Sequence, residues 1–302
     1  MYYIVFGLLY LFSLLPFFIL HAISDVVAFL LYHVVRYRKD IVFENLKRAF
    51  PGKTDEERKK IAKQFYRNFT DSWLETIKLI SISVKRIGKR ISTNLQCLHD
   101  LYPGGRNANI FMGHQFNWEY CNASVPVRVP YTILVAYSPI GSKILDRLFL
   151  YIRQRFGCIL LPFNDMKRAM LPYRHKQHML ALVADQSPPV PSKCYWLNFL
   201  NTPTPFLKGP ERGARIGNVP VVFMSLSKTK RGYYHIQATM LNENPGETKE
   251  GEITKQYITT LEGYIHQQPE LYLWSHKRWK HPWKDEYAKL WVDPVVPSPA
   301  GL

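Results

Sequence analysis

The chain is short of acidic residues and of cysteine, and its N-terminal segment has no Lys or Arg. Twenty-three Asp and Glu stand against forty Lys and Arg, a net charge of +17. Such an excess seeks phosphates, in nucleic acid or in anionic lipid. Cysteine is limited to Cys97, Cys121, Cys158 and Cys194. None forms a C-x-x-C pair and the spacings match no zinc pattern, so no metal is expected and the thiols read as structural ones in a reducing compartment. There is no G-x-S-x-G nucleophile elbow, which leaves esterase or lipid phosphatase activity without support. No internal repeat is evident. The first 35 residues contain no Lys or Arg, and Asp25 is their one acid. A signal peptide needs a basic n-region and a small-residue cleavage site, and both are missing. Residues 3–20 are almost wholly apolar and long enough to cross a bilayer, with a kink expected at Pro16. Residues 26–35 are too short to span unaided and either lie at the interface or continue a kinked helix. The first basic cluster, Arg36-Tyr37-Arg38-Lys39, comes after this segment. By the positive-inside rule the bulk of the chain then faces the cytoplasm.

Hydrophobic residues make up 47% of the 302 positions, enough for one large core. The pattern predicts an anchor over residues 1–35, a helical membrane-proximal region and connector over 36–93, an α/β domain over 94–291 and a frayed Pro-rich tail over 292–302. Thr54 and Glu57 make a capping box for a helix running to about Ile80, with Ile61, Phe65, Phe69, Trp73 and Ile77 at helical spacing. From about Asn107 the pattern alternates. Strands are expected at 110–112, 132–136, 158–160, 179–184, 219–225 and 234–240. Helices are expected at 118–124, 141–156, 166–174, 209–217 and 253–267. This alternation predicts an α/β fold with a mixed, largely parallel sheet flanked by helices.

Candidate chemistry sits at predicted strand ends. Gly113-His114-Gln115-Phe116-Asn117-Trp118-Glu119 follows an apolar run, and the glycine permits a sharp turn. With His114 in the loop and Glu119 in the first helical turn, the carboxylate holds the imidazole while the other ring nitrogen takes a proton from a hydroxyl. The alternative is a Glu that only favours the helix dipole. Asp185-Gln186 ends another apolar run, at the sheet edge where ligands bind in open α/β folds. Three roles stay open to Asp185: orienting His114, binding an acceptor, or capping the Ser187-Pro188-Pro189 turn. Gly209-Pro210-Glu211 opens a helix flanked by Lys208, Arg212 and Arg215, an anion-binding arrangement. Glu211 matches the helix dipole, and Arg215 is open to a structural salt bridge instead. Arg153 and Arg155 are placed to face the same pocket or solvent. Ser275-His276-Lys277-Arg278-Trp279-Lys280-His281-Pro282-Trp283 interleaves basic and aromatic residues, as suits single-stranded nucleic acid, a membrane interface or a solvated face.

The ordered set of motifs resembles the bacterial lipid A biosynthesis acyltransferases, the lauroyl/myristoyl transferase family within the lysophospholipid acyltransferase group. An apolar anchor is followed by Asn45-Leu46-Lys47-Arg48-Ala49-Phe50-Pro51, similar to the family's N-L-x-x-x-F-P. His114 to Glu119 fits its H-x4-[D/E] motif, and Asp185-Gln186 its D-Q element. Gly209 to Arg215 with Val219 to Phe223 fits G-x-x-x-x-A-R…P-V-V. Pro269 to Lys280 is close to the family's P-E-Q-Y-x-W-x-H-[RK]-R-[FW]-K ending. The Gly209-Pro210-Glu211 form and the Pro-rich loop after Asp185 depart from the enterobacterial lauroyl transferases.

The resemblance implies a glycerol-phosphate-acyltransferase-like fold at the bacterial inner membrane, facing the cytoplasm. It implies transfer of a fatty acyl group from an acyl thioester to a lipid hydroxyl, with His114 as general base and Glu119 orienting it. Asp185, Gln186, Lys208, Glu211, Arg212, Arg215 and Arg153 become acceptor-binding candidates. No cofactor is implied beyond acyl carrier protein or coenzyme A carrying the acyl group. The partners implied are acyl carrier protein, a phosphorylated lipid or glycolipid, and the membrane, and not nucleic acid. The alternatives are acylation of another membrane lipid (ornithine lipid, glycolipid or lysophospholipid) and a non-catalytic, membrane-anchored lipid- or nucleic-acid-binding protein.

Overall fold

A computed structural model describes residues 1–297. The end of the expected tail, 298–302, lies outside the described residues. Four helices come first: α1 (Tyr2–Leu14), α2 (Phe17–Phe29), α3 (Lys39–Ala49) and α4 (Asp55–Lys78). The apolar stretch 3–20 is therefore not one helix. Pro16 has no N–H to continue the ladder, and the chain breaks at Leu15–Pro16. The carbonyls freed there are not left bare: Lys78 Nζ donates to Ser13 O (2.6 Å) and Leu15 O (2.8 Å). A π-helical turn, Leu30–Val34, extends α2. The segment long and apolar enough to cross a membrane is thus Phe17–Val34, displaced towards the C-terminus from the expected one. The capping box of α4 forms as expected, with Thr54 and Glu57 bonding reciprocally.

The next elements alternate. They are α5 (Val84–Gly88), β1 (Ile91–Asn94), α6 (Gln96–Leu101), β2 (Ala108–Met112), α7 (Trp118–Ser124), β3 (Thr132–Tyr137), α8 (Lys143–Gln154), β4 (Ile159–Pro162), α9 (Met166–Met170) and β5 (His178–Val183). A hairpin of β6 (Cys194–Phe199) and β7 (Thr202–Leu207) precedes α10 (Gly209–Gly217), β8 (Val221–Lys230), β9 (Tyr233–Asn242) and α11 (Glu252–Gln267). Seven strands form one sheet in the order β1-β9-β8-β2-β5-β3-β4, and β6-β7 stand apart. The pairing is parallel except between β8 and β9, so β1 and β9 run against the other five.

Alternation along the strands divides the core. Ile110 and Met112 face one cluster, with Ile133, Val135, Met179 and Val222. Phe111 faces the other, with Phe223, Leu261 and the buried residues of α3 and α4. The hairpin was not anticipated. Its second strand, Thr202-Pro203-Thr204-Pro205-Phe206-Leu207, carries two prolines, which argue against a strand. It tolerates them because it pairs with β6 alone.

The basic-aromatic segment near the C-terminus is not a surface. Ser275, Arg278 and Trp279 are buried, and only Lys277 and Lys280 among 275–280 are exposed. Arg278 Nη2 donates to Pro205 O at 2.8 Å and its guanidinium lies 4.3 Å from the centre of the Phe206 ring. Trp279 Nε1 donates to Thr204 Oγ1. The interleaving that suggested a nucleic-acid or membrane face is a strap packed on the hairpin.

Candidate active site

Parallel register builds the centre of the site. Met112, the last residue of β2, pairs with Val183, the last of β5. Two residues further along each chain, His114 and Asp185 stand side by side at the C-terminal edge of the sheet. Asp185 is buried and bonds His114 twice. Its Oδ1 lies 2.5 Å from Nδ1 of the ring, and its Oδ2 accepts the His114 backbone N–H at 2.8 Å. On the other side of the ring, Gln186 Nε2 is 3.0 Å from His114 Nε2. With the amide donating there, Nε2 is the lone-pair nitrogen and Nδ1 carries the proton towards Asp185. Burial works against the Asp185 charge, but His114, followed by Arg278, outweighs it and holds the carboxyl below its usual range. The carboxylate is therefore ionised wherever the imidazole can act as a base. Of the roles open to Asp185, orienting His114 is the one its contacts describe.

Gly113 makes this approach feasible. A Cβ on it would collide with Leu261, which is fully buried, and would lie 3.5 Å from Asp185 Oδ2. We expect Gly113→Ala to destabilise the fold by about 1–3 kcal/mol, as overpacking does. It should slow transfer too, by shifting the loop that carries His114. Denaturant midpoint and turnover measured on the same preparation check this. A variant of wild-type stability and rate would mean that Leu261 repacks freely.

Glu119 does not meet His114. It is buried at the start of α7 and bound by Arg153 from α8: Nε at 3.2 Å from Oε1 and 3.1 Å from Oε2, and Nη2 at 2.6 Å from Oε1. Trp118 Nε1 and Asn122 Nδ2 donate to it as well. The expected Glu119–His114 contact is thus replaced by a Glu119–Arg153 fork and an Asp185–His114 pair. Trp118 stands between them, its ring edge-on to the imidazole at 5.3 Å. Burial disfavours the Arg153 charge, yet Glu119 more than compensates and raises the pKa of the guanidinium.

The anion site expected around α10 is not assembled. Glu211 is fully buried and caps α11, accepting from Gly251 N (2.6 Å), Thr254 N (2.9 Å) and Thr254 Oγ1 (2.5 Å). A helix start supplies unpaired N–H groups, and a carboxylate satisfies them well. Arg215 Nε donates to Thr248 O at 3.1 Å, and its Nη1 is 4.0 Å from Glu250. Lys208 lies over the Tyr195 ring at 4.5 Å, and Arg212 is exposed. None of these four lines either cavity at the site. Arg155 holds Leu79 O and Ile82 O, a structural task.

Two cavities of about 360 Å³ each meet at Trp118, Ile140, Arg153 and Gln186. One contains His114 and runs along the ends of β2, β3 and β5 to Pro188, Leu207 and Pro210. The other is mostly apolar and is walled by Phe69, Trp73, Phe116 and Phe149, with Arg38 and His276. His276 belongs to the C-terminal signature and stands among no candidate site residues of the sequence, yet it lines the apolar cavity. Its signal was the motif itself, hidden by the expectation of a solvated face.

His276 Nε2 accepts the Ser187 N–H at 3.0 Å. Burial, then the charge of Arg278, push its imidazole down to about 4. In the unfolded chain an ordinary histidine protonates near ~6.5. Stability is therefore full above that pH and falls as pH drops from there to the folded-state value. The melting temperature of His276→Asn should change less than that of wild type across this window. Parallel curves would assign the acid sensitivity to other groups.

Among the described residues no group of three or more His, Cys, Asp or Glu side chains converges as a metal site. Fold and site together define an α/β protein that presents a carboxylate-held imidazole at the end of a mixed, largely parallel sheet, at the meeting of two cavities. A family model described as bacterial lipid A biosynthesis acyltransferase matches residues 1–281, and the chain belongs to that family. It is therefore an acyltransferase with a role in lipid A biosynthesis, which implies an acyl donor and a lipid acceptor. A search of curated proteins finds no match.

Proposed function

We propose that the protein moves a fatty acyl group from an acyl thioester, carried by acyl carrier protein, to a hydroxyl of a lipid A precursor at the cytoplasmic face of the inner membrane. The observation that carries the reading is the Asp185–His114 pair, whose lone-pair nitrogen, met by the Gln186 amide, lies in a cavity that adjoins a second, apolar one. The acceptor hydroxyl displaces the Gln186 amide from His114 Nε2. As the oxygen attacks the thioester carbonyl, its proton passes to Nε2. Asp185 steadies the imidazolium. Collapse of the tetrahedral intermediate expels the thiolate, which takes the proton back. No acyl-enzyme forms, because the thioester is already activated.

The apolar cavity takes the acyl chain. Arg153, held by Glu119 through Nε and Nη2, keeps Nη1 for a phosphate of the acceptor. Glu119 thus serves as a positioning residue for Arg153. A net charge of +17 suits both acidic acyl carrier protein and phosphorylated lipid. The test is purified protein with acyl carrier protein thioester and a lipid A precursor, read by mass spectrometry. One acyl chain gained by the acceptor supports the proposal. Thioester hydrolysis with no acylated lipid rejects it. Acylation of ornithine lipid, glycolipid or lysophospholipid instead assigns a different acceptor.

A further inference from the structure

The N-terminal helices have an unusual division of faces. On α2 and the π-helical turn that extends it, the stripe Leu20, Ser24, Ala28 and Tyr32 is buried. It lies against α4, where Tyr32 packs edge-on to Tyr66 and several of the other contacts are polar. Ser24 Oγ donates to Asp71 Oδ1 at 2.7 Å, and His21 Nε2 is 2.9 Å from Glu75 Oε1. Asp25 is paired with Arg67 and Arg231. Arg231 also holds the backbone carbonyl of His21. The outward face is the reverse. Ile4, Leu8, Leu11, Phe18, Val26 and Phe29 are each between 58% and 73% exposed.

A helix that crosses a bilayer alone meets lipid on all sides. This one meets it on one side only, because α4 runs along the other with Lys59, Lys60, Lys63 and Arg67 exposed on it. Taking α2 across would carry those cations into hydrocarbon. At 13 residues α1 is too short to cross a core ~30 Å thick. It is fixed sideways to α8 instead. Phe6 packs edge-on to Tyr151 at 5.0 Å, and Arg147 lies 4.1 Å from the Tyr2 ring centre and donates to Tyr3 Oη. Arginine and tyrosine at that edge suit the headgroup level.

We propose that α1 and α2 lie in one leaflet, outward face down, and do not span the membrane. The partner is an anionic bilayer surface, matched by the +17 charge and by Arg36 and Arg38 exposed just after α2. α8 joins the same surface through Leu145, Arg147 and Tyr151, which are exposed, while its Phe149 and Arg153 line the apolar cavity. One helix thus carries both the lipid edge and a wall of the cavity, which brings that cavity close to the hydrocarbon.

The test reads topology and depth, not catalysis, so the transferase reading stands or falls separately. An epitope tag ahead of Met1 should be digested by protease in inside-out inner-membrane vesicles and protected in right-side-out ones. The opposite pattern means that the helix spans, and overturns the proposal. For depth, Phe18→Cys, Val26→Cys and Phe29→Cys, each in a Cys97→Ser background, carry an environment-sensitive fluorophore on full-length protein. The vesicles are of phosphatidylethanolamine and phosphatidylglycerol with nitroxides at set depths. All three positions should shift to the blue and share one quenching depth. A graded profile, with Val26 at the bilayer centre, overturns the one-leaflet arrangement. No shift at any of them overturns lipid contact.

Discussion

Purified His114→Ala should lose acyl transfer by about 10²- to 10⁴-fold while remaining folded, the loss expected when a general base is removed. The imidazole is only partly buried, and its deletion leaves Asp185 with one hydrogen bond, from the residue 114 backbone N–H. Stability must therefore be measured alongside rate. His114→Gln is the companion variant, because its amide can still donate to Asp185 but cannot take a proton at neutral pH. Both variants should lose kcat with less change in acceptor KM, since the ring acts in the transition state. Folded His114→Ala that turns over at near the wild-type rate would remove His114 from the mechanism.

The second large effect separates the two carboxylates. Asp185→Asn should reduce kcat by about 10²- to 10⁴-fold, because an amide neither fixes the productive tautomer nor steadies the imidazolium. Glu119→Gln should act differently. It loosens the fork on Arg153, so its main effect should be a raised acceptor KM, with a smaller change in kcat. If Glu119→Gln instead abolished kcat while Asp185→Asn stayed active, the assignment would be reversed, and Glu119 would have to reach His114 through a rearrangement of the loop. The comparison needs no knowledge of the acceptor's chain length, only one acceptor used throughout.

Much of the fold was legible in the sequence, because local signals agreed with tertiary ones. Helices α7 and α10 fall at the residues expected, and the capping box of α4 is where Thr54 and Glu57 placed it. The site was legible in part. His114 and Asp185 both stood out as polar residues at the ends of apolar runs. Their partnership was only one of three roles open to Asp185, since it depends on β2 and β5 being neighbours, and strand order is a tertiary fact. Glu119 was close in sequence and looked the better partner, but the turn between His114 and α7 points it at Arg153. Glu211 and Arg215 misled for a related reason. A carboxylate at a helix start reads as serving its own helix, whereas Glu211 serves α11, more than thirty residues away. The strap from Ser275 to Lys280 misled through composition, because buried arginine is rare and the rings that receive Arg278 lie on a hairpin whose prolines hide it in the sequence.

The loop carrying His114 is held from behind by residues near the other end of the chain. Phe116 N–H bonds Leu271 O at 2.8 Å, Gln115 bridges to Tyr272, and Asn45 Nδ2 ties α3 to the carbonyls of Trp274 and His276. In chain order these fastenings on the His114 loop, at Leu271 and Tyr272, come after both His114 and Asp185. A chain cut short ahead of Pro269 would therefore hold both members of the Asp185–His114 pair yet lack the clasp on the loop between them and α7.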